Sequence, residues 1–241
     1  MASLDEMRVV ILCGGKGSRI YPFSEYFPKP MMPVNGRPIL VHLMNIYARQ
    51  GFTKFVLAAG HRKEMLIDYF EGRFPEWEVN ILDTGVDADT GDRIRACAEQ
   101  VGERFFATYG DGLGNVDLKA LLKFHEERGG LATVTAVPLR SQYGTLQFDA
   151  DGRVRSFTEK PVIRDQWINA GFFVFEKKGM PHWEGANLES GVLPALAAKG
   201  QLYTYLHHGF WKSMDTSKDQ QEMERLGEAG EPPWMELPKS K

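Results

Sequence analysis

A glycine-rich segment near the N-terminus has the residue types of a phosphate-binding loop. It runs over residues 14–19 as Gly-Gly-Lys-Gly-Ser-Arg and follows a short apolar stretch. Gly14, Gly15 and Gly17 leave backbone N–H groups unobstructed, so that a polyphosphate can approach the chain closely. Arg19 adds a forked cation for phosphate oxygens. The segment therefore predicts a phosphate site, with an ordinary glycine-rich turn as the alternative.

Two well-known phosphate-binding motifs do not fit this segment. It is not a Walker A loop, because Lys16 lies between glycines and no Gly-Lys-Ser/Thr triplet follows. It also departs from the dinucleotide-binding pattern Gly-x-Gly-x-x-Gly, since Ile20 stands near the place of the third glycine and several prolines follow. Kinase, ATPase and nicotinamide-dependent oxidoreductase functions are therefore disfavoured.

A lysine between two prolines lies shortly after the loop. Pro28 and Pro30 restrict the backbone on both sides of Lys29 and so fix the direction in which its side chain leaves the chain. A lysine held near a phosphate loop is suited to neutralising phosphate charge. A surface lysine in a turn is the alternative.

Two aspartates are the candidate metal ligands. Asp111 lies between glycines after the apolar run 105–109, at the carboxyl end of a predicted parallel strand, which is where α/β sheets bind ligands. Asp215 follows a predicted strand and precedes a predicted helix. A magnesium ion that joins one or two carboxylates to substrate phosphates suits this setting. A plain turn aspartate and a helix cap are the respective alternatives.

Two short motifs in the second half of the chain are suited to a polyhydroxylated, phosphorylated ligand. Glu159-Lys160-Pro161 offers an acceptor and a cation, and Asn169-Ala170-Gly171 offers an amide before an apolar strand. Either motif alone is unremarkable. The six histidines have no metal-ligand spacing, so we expect them to be structural or surface residues.

Apolar runs that alternate with helical patterns must position these residues. The predicted strands cover residues 9–13, 55–59, 79–82, 105–109, 132–137, 172–175 and 202–206, with a hairpin over 144–148 and 154–158. The predicted helices cover residues 40–48, 63–70, 93–101, 117–127, 188–198 and 217–226. The alternation predicts an α/β fold with a Rossmann-like, mainly parallel mixed sheet flanked by helices. The tail from residue 231 is expected to be loosely ordered.

Length and composition set the remaining expectations. The 241 residues predict a single domain, with a nucleotide-binding half over about residues 7–137 and an acceptor-binding half over about residues 138–230. The formal net charge of -3 predicts neither nucleic acid nor anionic membranes as partners. The apolar stretch 9–13 is too short for a signal peptide or a spanning helix, so we expect a cytoplasmic protein. The two distant cysteines predict no zinc site.

Taken in order, these motifs resemble the sugar-phosphate nucleotidyltransferase family. The resemblance implies a glycosyltransferase-A-like fold, Mg²⁺ as cofactor, a nucleoside triphosphate and a sugar 1-phosphate as substrates, and a homo-oligomer. It makes Arg19 and Lys29 the catalytic cations and Asp111 and Asp215 the metal ligands. The implied nucleotide-binding residues are Leu12, Gly14, Gly15, Gly17, Ser18, Thr84, Gly85, Thr90, Gly91 and Gly110. The implied acceptor-binding residues are Tyr109, Glu159, Lys160, Asn169 and Gly171.

Further segments resemble the cytidylyltransferases of that family. These are Asp-Thr-Gly at 83–85, Thr-Gly-Asp-Arg at 90–93, Gly-Phe-Trp at 209–211 and Met-Asp-Thr at 214–216. They imply CTP as the triphosphate and glucose 1-phosphate as the acceptor. Two alternatives stay open: a cytidylyltransferase for a phosphonate or another non-sugar phosphate, and a non-catalytic protein that binds a nucleotide or a nucleotide sugar.

Overall fold

A seven-stranded sheet forms the centre of the computed structural model, which describes residues 6–17, 26–228 and 230–237. The strands are β1 (Arg8–Leu12), β2 (Pro33–Val34), β3 (Arg37–Pro38), β4 (Lys54–Ala59), β5 (Glu78–Asp83), β6 (Arg104–Tyr109), β7 (Gly112–Gly114), β8 (Ala132–Arg140), β9 (Thr145–Phe148), β10 (Val154–Thr158), β11 (Val162–Glu176), β12 (Leu202–Leu206) and β13 (Trp211–Ser213). The helices are α1 (Ile39–Ala48), α2 (Lys63–Phe70), α3 (Thr90–Ala96), α4 (Leu118–Arg128), α5 (Leu193–Ala198) and α6 (Ser217–Glu228).

The strand order of the central sheet is β12-β8-β11-β6-β1-β4-β5. All neighbours pair in parallel except β11, which runs antiparallel to both β6 and β8. This arrangement confirms the mainly parallel mixed sheet that the alternation of strands and helices predicts. None of the helices within the described residues has the length and apolar composition of a membrane span.

Strand β1 places two predicted site segments at the same edge of the sheet. Leu12, its last residue, is level with Ala58 of β4 and with Tyr109 of β6. The chain segments that follow β1 and β6 therefore leave the sheet side by side. This register brings the glycine loop and Asp111 to one edge, although about a hundred residues separate them in sequence.

The two faces of the sheet carry two hydrophobic clusters. Val9 and Ile11 of β1 belong to the cluster that includes α1, whereas Val10 faces the opposite cluster, as the two-residue period of a strand requires. All three side chains are fully buried. Cover on both faces explains why β1 is continuously apolar.

Helix α3 differs from its predicted bounds of 93–101, because it begins at Thr90 and ends at Ala96. Gly91 lies inside the first turn rather than before the helix. A Cβ at this position would lie 2.6 Å from the carbonyl oxygen of Ala186, so only glycine allows the helix to pack this closely on that segment. The predicted helix 188–198 likewise divides into a π-helical turn, Leu188–Val192, and α5.

The prediction of a loosely ordered tail is wrong for residues 231–237. Trp234 is only 1% exposed, and its indole lies edge-on against His42 at 5.6 Å between ring centroids. Arg49 pairs with Glu231 at 3.0 Å. The burial of one large aromatic side chain stabilises this segment more than its prolines alone suggest. Residues 238–241 lie outside the described part of the chain.

Candidate active site

A cleft of about 420 Å³ opens at the carboxyl ends of β1 and β6. The predicted site residues that line it are Leu12, Gly14, Gly15, Gly17, Lys29, Thr90, Tyr109, Gly110 and Asp111. Predicted nucleotide, metal and acceptor residues thus share one cavity. Ser18 and Arg19 lie outside the described residues, so their predicted roles stay predictions.

Arg93 anchors the glycine loop to the segment that follows β5. Its guanidinium donates to the carbonyl oxygens of Gly14 at 3.1 Å, Gly85 at 2.6 Å and Val86 at 3.1 Å, and to the Thr84 hydroxyl at 2.7 Å. Only 4% of Arg93 is exposed, and burial lowers its pKa without removing its charge. This cation fixes both walls of the cleft, a role that the sequence motifs do not predict.

Close packing explains two of the glycines. A Cβ on Gly14 would collide with the Arg93 guanidinium. A Cβ on Gly110 would lie 2.8 Å from the Leu12 carbonyl oxygen and 3.0 Å from the Pro30 ring. Glycine is therefore required at Gly110, where the ends of β1 and β6 meet the segment that carries Lys29.

Lys29 is held between the two predicted metal ligands. It begins a short 3₁₀ turn, Lys29–Met31, and its side chain is only 9% exposed. The ammonium nitrogen lies 2.5 Å from Oδ2 of Asp111 and 2.9 Å from Oδ1 of Asp215. Three charged groups that the sequence analysis predicted separately therefore form one cluster.

A small antiparallel strand pair brings Asp215 to this cluster. Ser213 of β13 is level with Gly112 of β7, and the Met214 amide donates to the Asp111 carbonyl oxygen at 2.9 Å. The Ser213 hydroxyl also donates to Oδ2 of Asp215 at 2.8 Å. Strands of three residues have no recognisable hydrophobic period, so the sequence does not predict that these two strands pair.

The donor set fits a hard divalent cation only if a substrate completes it. Within residues 6–17, 26–228 and 230–237, no group of three or more His, Cys, Asp or Glu side chains could hold a metal. Asp111 and Asp215 supply two carboxylates, and the Lys29 ammonium already places a positive charge between them. Mg²⁺ is commonly bound by one or two carboxylates together with substrate phosphates and water.

A hydrogen-bonded chain connects two predicted acceptor-binding residues to the start of α3. The Asn169 amide donates to the Tyr109 hydroxyl at 3.0 Å, and that hydroxyl donates to the carboxylate of Glu189. The Thr90 hydroxyl donates to the second oxygen of Glu189 at 2.8 Å. Burial and then the Glu189 carboxylate raise the pKa of Tyr109, so it remains a donor. Gly171, at φ +78°, leaves room for the Tyr109 ring.

Glu189 was missed because its sequence position is typical of an ordinary structural residue. It lies in the first turn after Asn187, where an acidic side chain commonly stabilises a helix N-terminus. Glu159 and Lys160, by contrast, are predicted site residues that do not line the cleft. Their side chains are 63% and 45% exposed beyond the hairpin β9–β10, 3.8 Å apart, and their acceptor-binding roles stay predictions.

Comparison with known proteins identifies the family. A model of the nucleotidyl transferase family matches residues 8–216. The chain is 36% identical to a probable glucose-1-phosphate cytidylyltransferase of Bacillus subtilis, with 95% of this chain and 99% of that protein covered. It is 35% identical to the glucose-1-phosphate cytidylyltransferase of Salmonella typhi, with 95% and 98% covered.

A solved structure shares the fold at low sequence identity. It is a putative glucose-1-phosphate thymidylyltransferase from Bacillus anthracis in complex with a sucrose, with a TM-score of 0.73, 19% identity and 98% of each chain covered. At this identity the likeness concerns the fold alone, and it agrees with the fold class that the sequence predicts. Taken with the family match over residues 8–216, it leads to one assignment: the chain belongs to the nucleotidyl transferase family.

Proposed function

We propose that this protein transfers the nucleoside monophosphate unit of CTP to glucose 1-phosphate and releases pyrophosphate. The observation that carries the proposal is the Lys29 ammonium held between Asp111 and Asp215 at the glycine loop. The choice of CTP and of glucose 1-phosphate rests on the names of the two cytidylyltransferase relatives.

The reaction needs no nucleophile from the protein. A phosphate oxygen of the acceptor attacks the α-phosphorus of CTP, a new P–O bond forms, and the bond to the β-phosphate oxygen breaks. The leaving pyrophosphate carries away the electron pair of that bond. Both reactants are anions, so the protein must align them and reduce their repulsion.

The loop and its neighbours supply this alignment and charge. The backbone N–H groups of Gly14, Gly15 and Gly17 face the triphosphate, and Arg19 and Lys29 bind its phosphates. Asp111 and Asp215 would hold Mg²⁺, which when bound neutralises phosphate charge. Removal of one such electrostatic contact costs on the order of 10²–10³ in rate in a well-studied hydrolase.

The two walls of the cleft bind the base and the sugar phosphate. On the base side, Arg93 fixes the segment that carries Thr84 and Gly85, and Thr90 and Gly91 begin α3 beside it. Cytosine presents an amino donor where uracil presents an acceptor, and backbone carbonyls accept from such a donor. On the acceptor side, Asn169 and Tyr109 offer hydrogen-bonding groups to the sugar. Lys160 offers a cation to the phosphate of the acceptor. Glu159 and Gly171 are the other residues assigned to this side.

The active form is a homo-oligomer in the cytoplasm. The hairpin β9–β10 supports the oligomer, because Leu146, Phe148 and Phe157 are 53%, 68% and 63% exposed. The free, buried thiols of Cys13 and Cys97 agree with a reducing compartment. Light scattering of the purified protein will give the number of copies, and a monomer would contradict the oligomer.

The decisive experiment is a pyrophosphate-release screen. The four ribonucleoside triphosphates and dTTP are combined with a panel of sugar 1-phosphates and simple phosphonates. We expect release with CTP and glucose 1-phosphate, and a near-complete loss in Asp111→Ala at saturating Mg²⁺. Release only with a phosphonate would replace the acceptor, and nucleotide binding without release would refute the enzymatic function. Near-normal activity of Asp111→Ala would refute the metal role.

A further inference from the structure

The Asp219 side chain accepts hydrogen bonds from the backbone amides of Asp215 and Thr216. Oδ2 of Asp219 accepts from the Asp215 amide at 3.2 Å, from the Thr216 amide at 2.9 Å and from the Thr216 hydroxyl at 2.8 Å. Asp219 is the third residue of α6. Its carboxylate therefore holds the turn before α6, which contains the predicted metal ligand Asp215.

A helix cap accounts for only part of this arrangement. The Asp219 amide donates to the Thr216 hydroxyl at 3.2 Å, which completes a reciprocal capping box at the start of α6. A capping box requires the bonds to Thr216 alone. The additional bond to the Asp215 amide fixes the residue before the box, and that residue is the one that contacts Lys29.

Lys212 extends the turn back to the strand before it. Its ammonium lies 2.9 Å from Oδ1 of Asp219 and 3.0 Å from Glu222. The Lys212 and Asp219 side chains are only 18% and 24% exposed, so water screens their ion pair weakly. Since Lys212 belongs to β13, the pair closes a short loop around Asp215.

Asp215 is therefore restrained from both sides. Before it, the Met214 amide is bonded to the Asp111 carbonyl oxygen, and Ser213 is paired with Gly112. After it, Asp219 holds its own amide. These hydrogen bonds fix the position of Asp215 relative to Asp111. Binding of a cation by both residues depends on the distance between their carboxylates.

We propose that Asp219, held by Lys212, is a positioning residue that sets the Asp215 carboxylate for divalent-cation binding. This inference rests on the proposed function, in which Asp111 and Asp215 hold the metal. Partners that orient metal ligands typically contribute 10- to 100-fold to metal affinity. Asp219 acts through Asp215 and touches no substrate.

The test compares two helix caps, only one of which adjoins the site. Asp219→Asn keeps the shape of the side chain, but its neutral amide cannot form the ion pair with Lys212 and accepts more weakly from the Asp215 amide than the carboxylate does. Asp117→Asn is the matched control, because Asp117 caps α4 by accepting from the Ala120 amide at 2.9 Å. Mn²⁺ binding in the presence of CTP is measured by electron paramagnetic resonance, and unfolding is measured in urea.

We expect Asp219→Asn to weaken Mn²⁺ binding by about 10- to 100-fold, while Asp117→Asn leaves it at the wild-type value. Asp117→Asn is expected to change stability little, because asparagine also caps helices well, whereas Asp219→Asn should lose stability through its ion pair with Lys212. Equal Mn²⁺ binding in the two variants would show that Asp219 only caps the helix. If Asp219→Asn does not fold, Lys212→Met serves in its place, because it leaves the capping box intact, and an unchanged Mn²⁺ affinity there would overturn the inference.

A failure of the inference is distinguishable from a failure of the proposed function. Asp111→Ala is measured in the same Mn²⁺ assay. If Asp111→Ala loses binding and Asp219→Asn does not, only the positioning role is wrong. If Asp111→Ala also binds Mn²⁺ as the wild type does, the carboxylates do not hold the metal, and both conclusions fail.

Discussion

Replacement of Lys29 by methionine is expected to change metal binding and catalysis in opposite directions. The Lys29 ammonium lies 2.5 Å from Asp111 and 2.9 Å from Asp215, where it neutralises the charges that would attract a divalent cation. Methionine fills a similar volume without charge. The two carboxylates then face each other without a cation, and an added metal no longer competes with the ammonium.

The burial of the cluster sets the size of the effect. The Lys29 side chain is 9% exposed, but Asp111 and Asp215 are 27% and 34% exposed, so water partly screens the carboxylates. The loss of a charged partner at such a site costs about 1–3 kcal/mol, below the figure for a fully buried pair. We expect Lys29→Met to lose about this much stability, which urea unfolding measures.

The same free energy predicts the gain in metal affinity. If a metal no longer has to displace Lys29, nucleotide-free Mn²⁺ binding should tighten by about 5- to 150-fold, since 1.4 kcal/mol corresponds to a tenfold change. Turnover should nevertheless fall by about 10²–10³, because the triphosphate has lost a cation. Calorimetric Mn²⁺ titration and pyrophosphate release measure the two effects.

Lys16→Met is the control for removal of a lysine at the same cleft. Lys16 pairs with Asp87 at 2.8 Å, but both side chains are largely exposed, so we expect little change in stability or in nucleotide-free Mn²⁺ affinity. A folded Lys29→Met variant that binds Mn²⁺ no more tightly than the wild type would refute the view that the ammonium occupies the place of the metal.

Three further outcomes follow from buried groups. Arg93→Lys should lose about 2–3 kcal/mol of stability and raise KM for CTP, because an ammonium cannot match the fork that reaches several acceptors; urea unfolding and steady-state kinetics measure this, and unchanged KM would contradict it. Trp234→Ala should lose about 3–5 kcal/mol in urea unfolding, and a loss below 1 kcal/mol would mean that the tail does not pack as described. Burial lowers the pKa of His42, His125 and His207 below 6.5, so the unfolded state binds more protons below that pH. The unfolding free energy should therefore fall as the pH drops below 6.5, by up to about 1.4 kcal/mol per pH unit for each histidine, and a flat profile from pH 7 to 5 would contradict this.

The regular elements were predictable because each has its own period. Helix α2 and strand β12 match the predicted bounds of 63–70 and 202–206 at both ends. Helix α3 did not match, because the meaning of Gly91 depends on the carbonyl of Ala186, which is distant in sequence. A glycine that allows close packing and a glycine that ends a helix are identical in a sequence pattern.

The site was most predictable where its residues lie at strand ends. Asp111 follows a buried parallel strand, and that location alone predicts a ligand-binding role. Arg93 has no comparable signal, because its acceptors at Gly14, Gly85 and Val86 are backbone carbonyls that every residue carries. Glu189 was hidden for a related reason, since its partners come from two other elements.

If the protein has the proposed function, the charges of Lys29, Asp111 and Asp215 favour one form of the nucleotide. Lys29 contributes one positive charge and Asp111 and Asp215 one negative charge each, so the three groups together are net negative by one. Under the proposed function this cluster opposes a fully ionised triphosphate and so offsets part of the attraction from Arg19 and the backbone N–H groups. With a divalent cation bound, Asp111 and Asp215 would be engaged by the metal and the cluster would be net positive. Lys29 would then be free to bind the phosphates, so we expect the metal–nucleotide complex rather than the free nucleotide to be the species that binds.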